Sequence, residues 1–170
     1  TDKEGWFVNA ENAYITAASI DADNFPSSGE VYILNDLVGF FADHTHLGCI
    51  ADNAFRYMPG VRRVYFQDCA AMSYTANSDF YFFIGDKAFA DCTSLKTVRL
   101  PEGMKSVSSN MFNGCTSLES VNLTESITTI EEGAFENTSL KSVSISQNIT
   151  RIGAKAFANT KLTSVVAPEA

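Results

Sequence analysis

The chain has 170 residues, 45% of them hydrophobic and 19% charged, with only 4 Pro and 10 Gly. That composition excludes collagen-like, low-complexity and disordered chains and leaves one packed domain, or one with a small appendage. No apolar run approaches the ~20 residues of a membrane helix, and a formal charge of −8 argues against nucleic acid, whose binding rests on basic surface.

The charge is uneven. Residues 1–80 hold 11 acidic and 4 basic side chains, residues 81–170 hold 9 and 8, so the two halves present different surfaces. Residues 1–5 lack the basic, apolar and small-residue series of a secretory signal, which leaves a cytosolic protein or a chain that begins after processing. Strand-like runs at 13–20 and 30–34 flank the loop signal Asp-Ala-Asp-Asn-Phe-Pro-Ser-Ser-Gly. Phe41-Ala-Asp-His-Thr-His-Leu47 resembles Phe89-Ala-Asp-Cys-Thr-Ser-Leu95 but lies too close to the next Phe for a full coil, and reads as a degenerate remnant or a coincidence. Residues 1–49 are expected to form a non-repeat cap on the amino-terminal end of residues 50–170.

A repeat governs the rest. Ile84-Gly-Asp-Lys-Ala-Phe89 returns as Val107-Ser-Ser-Asn-Met-Phe112, Ile130-Glu-Glu-Gly-Ala-Phe135 and Ile152-Gly-Ala-Lys-Ala-Phe157. After each Phe come a Leu (95, 118, 140, 162), an apolar residue three on (Val98, Val121, Val143, Val165) and another two further (Leu100, Leu123, Ile145, Ala167). The closing alternation is that of a strand with one buried face. The frame extends backward to Ile50-Ala-Asp-Asn-Ala-Phe55, with Val61, Val64 and Phe66 at the strand positions. An insertion of 11 residues within 67–83 accounts for the longer step to Phe89.

A period near 23 residues predicts a solenoid over 50–170, because one such unit cannot bury its own Phe, Leu and Ile and must stack on its neighbours. Each coil is expected to supply a strand (95–100, 118–123, 140–145, 162–167), a second short extended segment, and a helical turn ending in an inward Phe. This is an α/β arrangement of short parallel strands with helical turns. A strand so close to Ala170 predicts a partner or further repeats at the carboxyl edge.

The pattern Ile-Gly-x-x-Ala-Phe-x-x-Cys-x-x-Leu-x-x-Val-x-Leu-Pro, carried by residues 84–101, resembles the BspA-like (TpLRR-type) class of leucine-rich repeats. The resemblance implies a curved right-handed leucine-rich repeat solenoid of bacterial or protist surface and secreted proteins. It also implies adhesion or recognition of a protein or glycan, localisation at the cell surface or outside the cell, and neither catalytic motif nor cofactor. The last two repeats depart from the pattern, since they lack the Cys.

Chemistry is sparse. Cys92 and Cys115, at one repeat position, are expected as buried free thiols, because stacked side chains at ~4.8 Å stand wider than a disulfide's Cβ atoms at ~3.5–4.5 Å. Asp43-His44-Thr45-His46 with Cys49 is the one local cluster with ligand or nucleophile chemistry, but it lacks a third and fourth ligand. No metal site is expected, and an enzyme using the His44/His46 loop is the weaker alternative, beside a structural segment of a longer repeat protein. Glu131-Glu132 reads as a solvated helix start. Asn122, Asn137 and Asn148 fit the glycosylation pattern. Phe80-Tyr81-Phe82-Phe83 closes the insertion and either packs on a neighbour or forms an exposed patch.

Outward positions along the ladder form three columns: Arg63, Thr97, Ser120, Ser142, Ser164; Tyr65, Arg99, Asn122, Ser144, Val166; and Arg62, Lys96, Glu119, Lys141, Thr163. The carboxyl end is short and polar, as a solvated sheet requires. The amino-terminal end gathers Arg62, Arg63, Tyr65, Lys96 and Arg99, the residue types that anchor interfaces, and is the expected partner-binding corner.

Overall fold

The computed structural model describes residues 6–8, 14–15, 27–33, 49–66 and 83–166. Two parallel ladders run along the molecule. The first joins β1 (Trp6–Val8), β3 (Glu30–Ile33), β5 (Arg63–Phe66), β7 (Thr97–Arg99) and β9 (Ser120–Asn122). Lys141 N–H then donates to the Glu119 carbonyl and carries the column to β11 (Ser142–Ser144), which pairs with β13 (Ser164–Val166). The second side comprises a three-stranded sheet of β2 (Tyr14–Ile15), β4 (Cys49–Ile50) and β6 (Phe83–Ile84), followed by another of β8 (Ser106–Val107), β10 (Thr129–Ile130) and β12 (Arg151–Ile152), with the Ser108 hydroxyl donating to the Ile84 carbonyl between them.

The register matches the sequence frame: Val64 lies beside Val98, Val98 beside Val121, and Val143 beside Val165. Every strand with a described burial pattern in the first ladder puts its Val inward and its flanking residues outward, the alternation that a sheet with one solvated face requires. The ladder also reaches back into the stretch expected as an amino-terminal cap. Val31 pairs with Val64, and Trp6 with Val31. No Phe turn advertises these earlier rungs; only the alternation in Glu30-Val-Tyr-Ile33 does.

The expected helical turns are corrected by the structure: among the described residues there is no helix. Three chained turns take their place. In the second intact repeat, Ala88 N–H donates to Gly85, Ala90 to Lys87 and Cys92 to Phe89. The first turn places a left-handed residue third, in the column Asn53, Lys87, Asn110, Gly133, Lys155, and the same conformation recurs at Tyr57, Asp91, Gly114, Asn137, Asn159. A positive φ every fourth residue stops right-handed helix propagation. Glu131-Glu132 accordingly opens a turn rather than a helix, with Glu131 on Arg151 at 3.2 Å.

Two Lys and one Tyr occupy positions that suit Gly, Asn or Asp, at a cost of roughly 1–2 kcal/mol each. Lys155→Asn is therefore expected to raise the unfolding free energy by about 0.5–1 kcal/mol, read as a higher urea midpoint at unchanged slope.

These turns form a third side of the solenoid. Phe55, Phe89, Phe112 and Phe135 donate their N–H to Ala88, Met111, Ala134 and Ala156 of the next coil, with two flanking bonds per coil (Asn53 to Asp86 and Tyr57 to Ala90 in the first). The backbone is thus satisfied coil to coil while the rings turn inward. Phe55, Phe89, Phe112, Phe135 and Phe157 stack with centroids 5.0, 5.7, 5.5 and 5.4 Å apart. Ile50, Ile84, Leu95, Met104, Val107, Leu118, Ile127 and Ile130 complete the core, fully buried.

Three residues after each Phe stands a column of Met58, Cys92, Cys115, Thr138 and Thr160. Cys92 Sγ donates to the Phe55 carbonyl and Cys115 Sγ to that of Phe89, both at 3.1 Å. Thr138 and Thr160, at the same repeat position, bond the Phe135 and Phe157 carbonyls of their own coils. A hydroxyl thus replaces the thiol where the Cys is missing. Both cysteines are free. Burial pushes the Cys92 thiol up to about 12 and raises Cys115 likewise. Neither is expected to react with iodoacetamide in the native protein, and each should take one group in denaturant without reductant; rapid native labelling would show the column open to solvent.

Candidate functional site

The outward face of the first ladder holds the three columns in register. Glu30 lies beside Arg63 and Arg63 beside Thr97, while Tyr32 lies beside Tyr65. The Arg62 carbonyl accepts from Lys96 N–H and the Lys96 carbonyl from Glu119 N–H, so Arg62 and Lys96 stand on adjacent rungs. Arg99 is paired with Asn122. The structure therefore puts Arg62, Arg63, Tyr65, Lys96 and Arg99 on one exposed face.

It adds two residues that the columns omitted. The Tyr32 and Tyr65 rings stack with centroids 4.8 Å apart and planes 15° apart. Glu30 sits beneath them: its carboxylate accepts from Arg63 Nη1 at 3.1 Å, from Tyr32 Oη at 3.1 Å and from Tyr65 Oη at 3.4 Å. Strand alternation explains the grouping, since residues 30 and 32 share a face and the parallel register sets them against 63 and 65. The legible signal was the echo of Val31-Tyr32-Ile33 in Val64-Tyr65-Phe66.

The Arg63 hydrogen bond, followed by that of Tyr32, holds the Glu30 carboxyl below its ordinary value, while desolvation and then Glu30 raise the Tyr32 phenol. Because the folded value of Glu30 is depressed, its stabilising contacts are in place above the ordinary carboxylate range and are lost as pH falls through that lower value. An NMR titration is expected to place the Glu30 midpoint below that of an unperturbed glutamate, and Arg63→Ala should move it upward.

Arg62 is held differently. A Cβ on Gly29, whose φ is +70°, would lie 2.7 Å from Arg62 Cγ and 2.5 Å from the Gly60 carbonyl oxygen. The aliphatic stem of Arg62 lies in the space that a side chain at residue 29 would fill, leaving its charged head outward. Arg62, Lys96 and Arg99 make no ion pair among the described residues. The carboxyl end of the face is Thr97, Ser120, Ser142 and Ser164 with a Lys141–Glu119 pair at 3.1 Å.

The remaining candidates fall elsewhere. The His44/His46 loop and residues 67–82 lie outside the described residues, as do Cys69 and three of the four consecutive aromatics; Phe83 is exposed on β6. Asn137 and Asn148 donate their side-chain nitrogens to Asn113 and Glu125 of the preceding coil, a structural use of two of the three glycosylation-pattern asparagines. Asn113, Asn137 and Asn159 so form an amide ladder along the turns.

A family model of the BspA-type leucine-rich repeat region matches residues 59–170 in 6 copies. Among solved structures, the chain is similar to a leucine-rich cell surface protein from Faecalibacterium prausnitzii, at 30% identity over 81% of this chain and 38% of that one, with a TM-score of 0.54. It is similar to the leucine-rich repeat protein of T. pallidum at 25% identity, over 80% of this chain and 57% of that one, with a TM-score of 0.64. The pneumococcal vaccine antigen PcpA shares the fold, at 18% identity over 96% of this chain and 36% of that one, with a TM-score of 0.63. The chain spans just over a third to just over half the length of these three proteins. No curated protein matches it.

Proposed function

Because the chain belongs to the BspA-type leucine-rich repeat family, we propose that it is a non-enzymatic binding module of a bacterial cell-surface or secreted protein, recognising a protein or glycan through the amino-terminal corner of its sheet face. One observation carries this reading: Glu30, Tyr32, Arg63 and Tyr65 are locked together on solvent-facing strands. Arg63 and Tyr65 are exposed and Glu30 and Tyr32 half-buried, so the group does not build the core, yet its side chains are already ordered, which lowers the entropic cost of binding. Tyr and Arg bring contact area and hydrogen bonding together. The cell-surface description of the F. prausnitzii neighbour supports the location, and its likeness in fold supports the role.

The test is binding of the purified chain to arrays of matrix proteins and of glycans. Arg63→Ala/Tyr65→Ala is expected to abolish the hits while leaving the thermal midpoint within a few degrees. Equal loss from Ser142→Ala/Ser144→Ala, or no loss from either pair, would contradict the assignment.

A further inference from the structure

The sheet face carries a charge opposite to that of the chain. Its three columns hold Arg62, Arg63, Lys96, Arg99 and Lys141 against Glu30 and Glu119, five basic residues to two acidic, in a chain of net −8. Both acids are already paired, Glu30 with Arg63 and Glu119 with Lys141, each at 3.1 Å. What remains is Arg62, Lys96 and Arg99, three exposed cations on two adjacent rungs ~4.8 Å apart. Arg62 and Lys96, across that spacing, lie within the ~8 Å over which charges act at physiological salt; they repel one another, and a facing anion would relieve that repulsion. Arg99 stands three residues further along β7, ~10 Å away at ~3.3 Å per residue, and adds a second positive point.

One feature narrows the anion: Glu30 fixes a carboxylate on β3, beside Arg63 and under the tyrosine hydroxyls. A ligand charged at every unit, such as a sulfated polysaccharide or a nucleic acid, would lay an anion against it. A polypeptide sets its carboxylates apart and can put an uncharged residue opposite Glu30, with carboxylates reaching the guanidinium groups, which take them in paired hydrogen bonds. Resting on the reading of this face as the interface, we propose that its ligand is an acidic protein segment lying across β3, β5 and β7. Carboxylates meet Arg62, Lys96 and Arg99, and an apolar or aromatic side chain packs beside Tyr32 and Tyr65.

The experiment uses the whole chain and four fluorescent probes read by anisotropy. They are a peptide of about ten residues alternating Glu and Ser around one central Tyr, long enough at ~3.3 Å per residue to cross three rungs; its Gln counterpart; heparin; and single-stranded DNA. The Glu peptide is expected to bind, weakening with added salt, and to lose at least about tenfold in affinity with Gln in place of Glu or with Arg62→Glu/Lys96→Glu/Arg99→Glu. Glu119→Gln/Lys141→Gln should leave it unchanged. All three residues of the triple variant are exposed, and its thermal midpoint checks the fold. Tighter binding of heparin or DNA, lost in the same triple variant, would overturn the acidic-segment proposal while leaving the face as the interface. Binding of the Glu peptide that ignores the triple variant, or no binding by any probe, would overturn both.

Discussion

Phe112→Ala is expected to lower the unfolding free energy by roughly 3–5 kcal/mol, the range for a truncated core aromatic. Phe112 is fully buried and lies between Phe89 at 5.7 Å and Phe135 at 5.5 Å. Its own N–H is bonded to Ala134, and the coils on both sides are held by the same kind of bond. That backbone ladder fixes the spacing, so neighbouring coils cannot close over the missing ring and the full cost of the cavity applies. Phe157 stacks on one described neighbour only and is half-buried; Phe157→Ala should cost distinctly less. Urea unfolding of both variants checks the pair. A near-neutral Phe112→Ala would contradict the stacked core.

Gly85→Ala is expected to cost about 1–3 kcal/mol for a reason that local conformation does not supply. Its backbone suits any residue, but a Cβ there would lie 2.5 Å from Asp52 N and 2.8 Å from the Ala51 carbonyl carbon, backbone of the preceding coil. The coils would have to part where Gly85 N–H bonds to the Ile50 carbonyl at 2.7 Å. Gly103 is the converse case: nothing lies within 4 Å of its added Cβ, but its φ is +82°. Asn tolerates that conformation, so Gly103→Asn should be nearly neutral. Gly85→Asn should be at least as damaging as Gly85→Ala. If the two sites respond alike to Asn, close coil approach is not the constraint at residue 85.

What the sequence made legible was the periodic part. The recurrence of Phe, Leu and Val positions located the Phe stack, the inward valines of β7, β9 and β11, and the outward columns, because all of these follow from one repeated burial pattern; Val165 of β13 keeps the register but is 58% exposed. The turns were misread as helical because the short Ala-Phe segment favours a helix locally, whereas the left-handed residues that forbid it include Lys87, Lys155 and Tyr57, which give no turn signal. Two of the seven residues of the candidate site were also hidden. Arg62, Arg63, Tyr65, Lys96 and Arg99 could be placed by counting from Phe55 and Phe89. Glu30 and Tyr32 could not be placed by that count, because β3 precedes any Phe turn in the frame and 33 residues separate Glu30 from Arg63; the one sequence trace of them is the echo of Val31-Tyr32-Ile33 in Val64-Tyr65-Phe66. Only three-dimensional pairing brings that carboxylate under the tyrosines.

The claim on which both the fold and the site depend is that β3 pairs with β5 in a register that sets Tyr32 against Tyr65. Proton NMR of the intact chain, with the two tyrosine rings assigned by Tyr32→Phe and Tyr65→Phe, tests it directly. With ring centroids 4.8 Å apart, strong nuclear Overhauser effects are expected between the Tyr32 and Tyr65 ring protons. Cross-strand effects are also expected between the neighbours Val31 and Val64. Absence of ring-to-ring effects in the folded protein, or ring contacts of Tyr32 with another residue of β5 in place of Tyr65, would contradict the register and with it the binding corner.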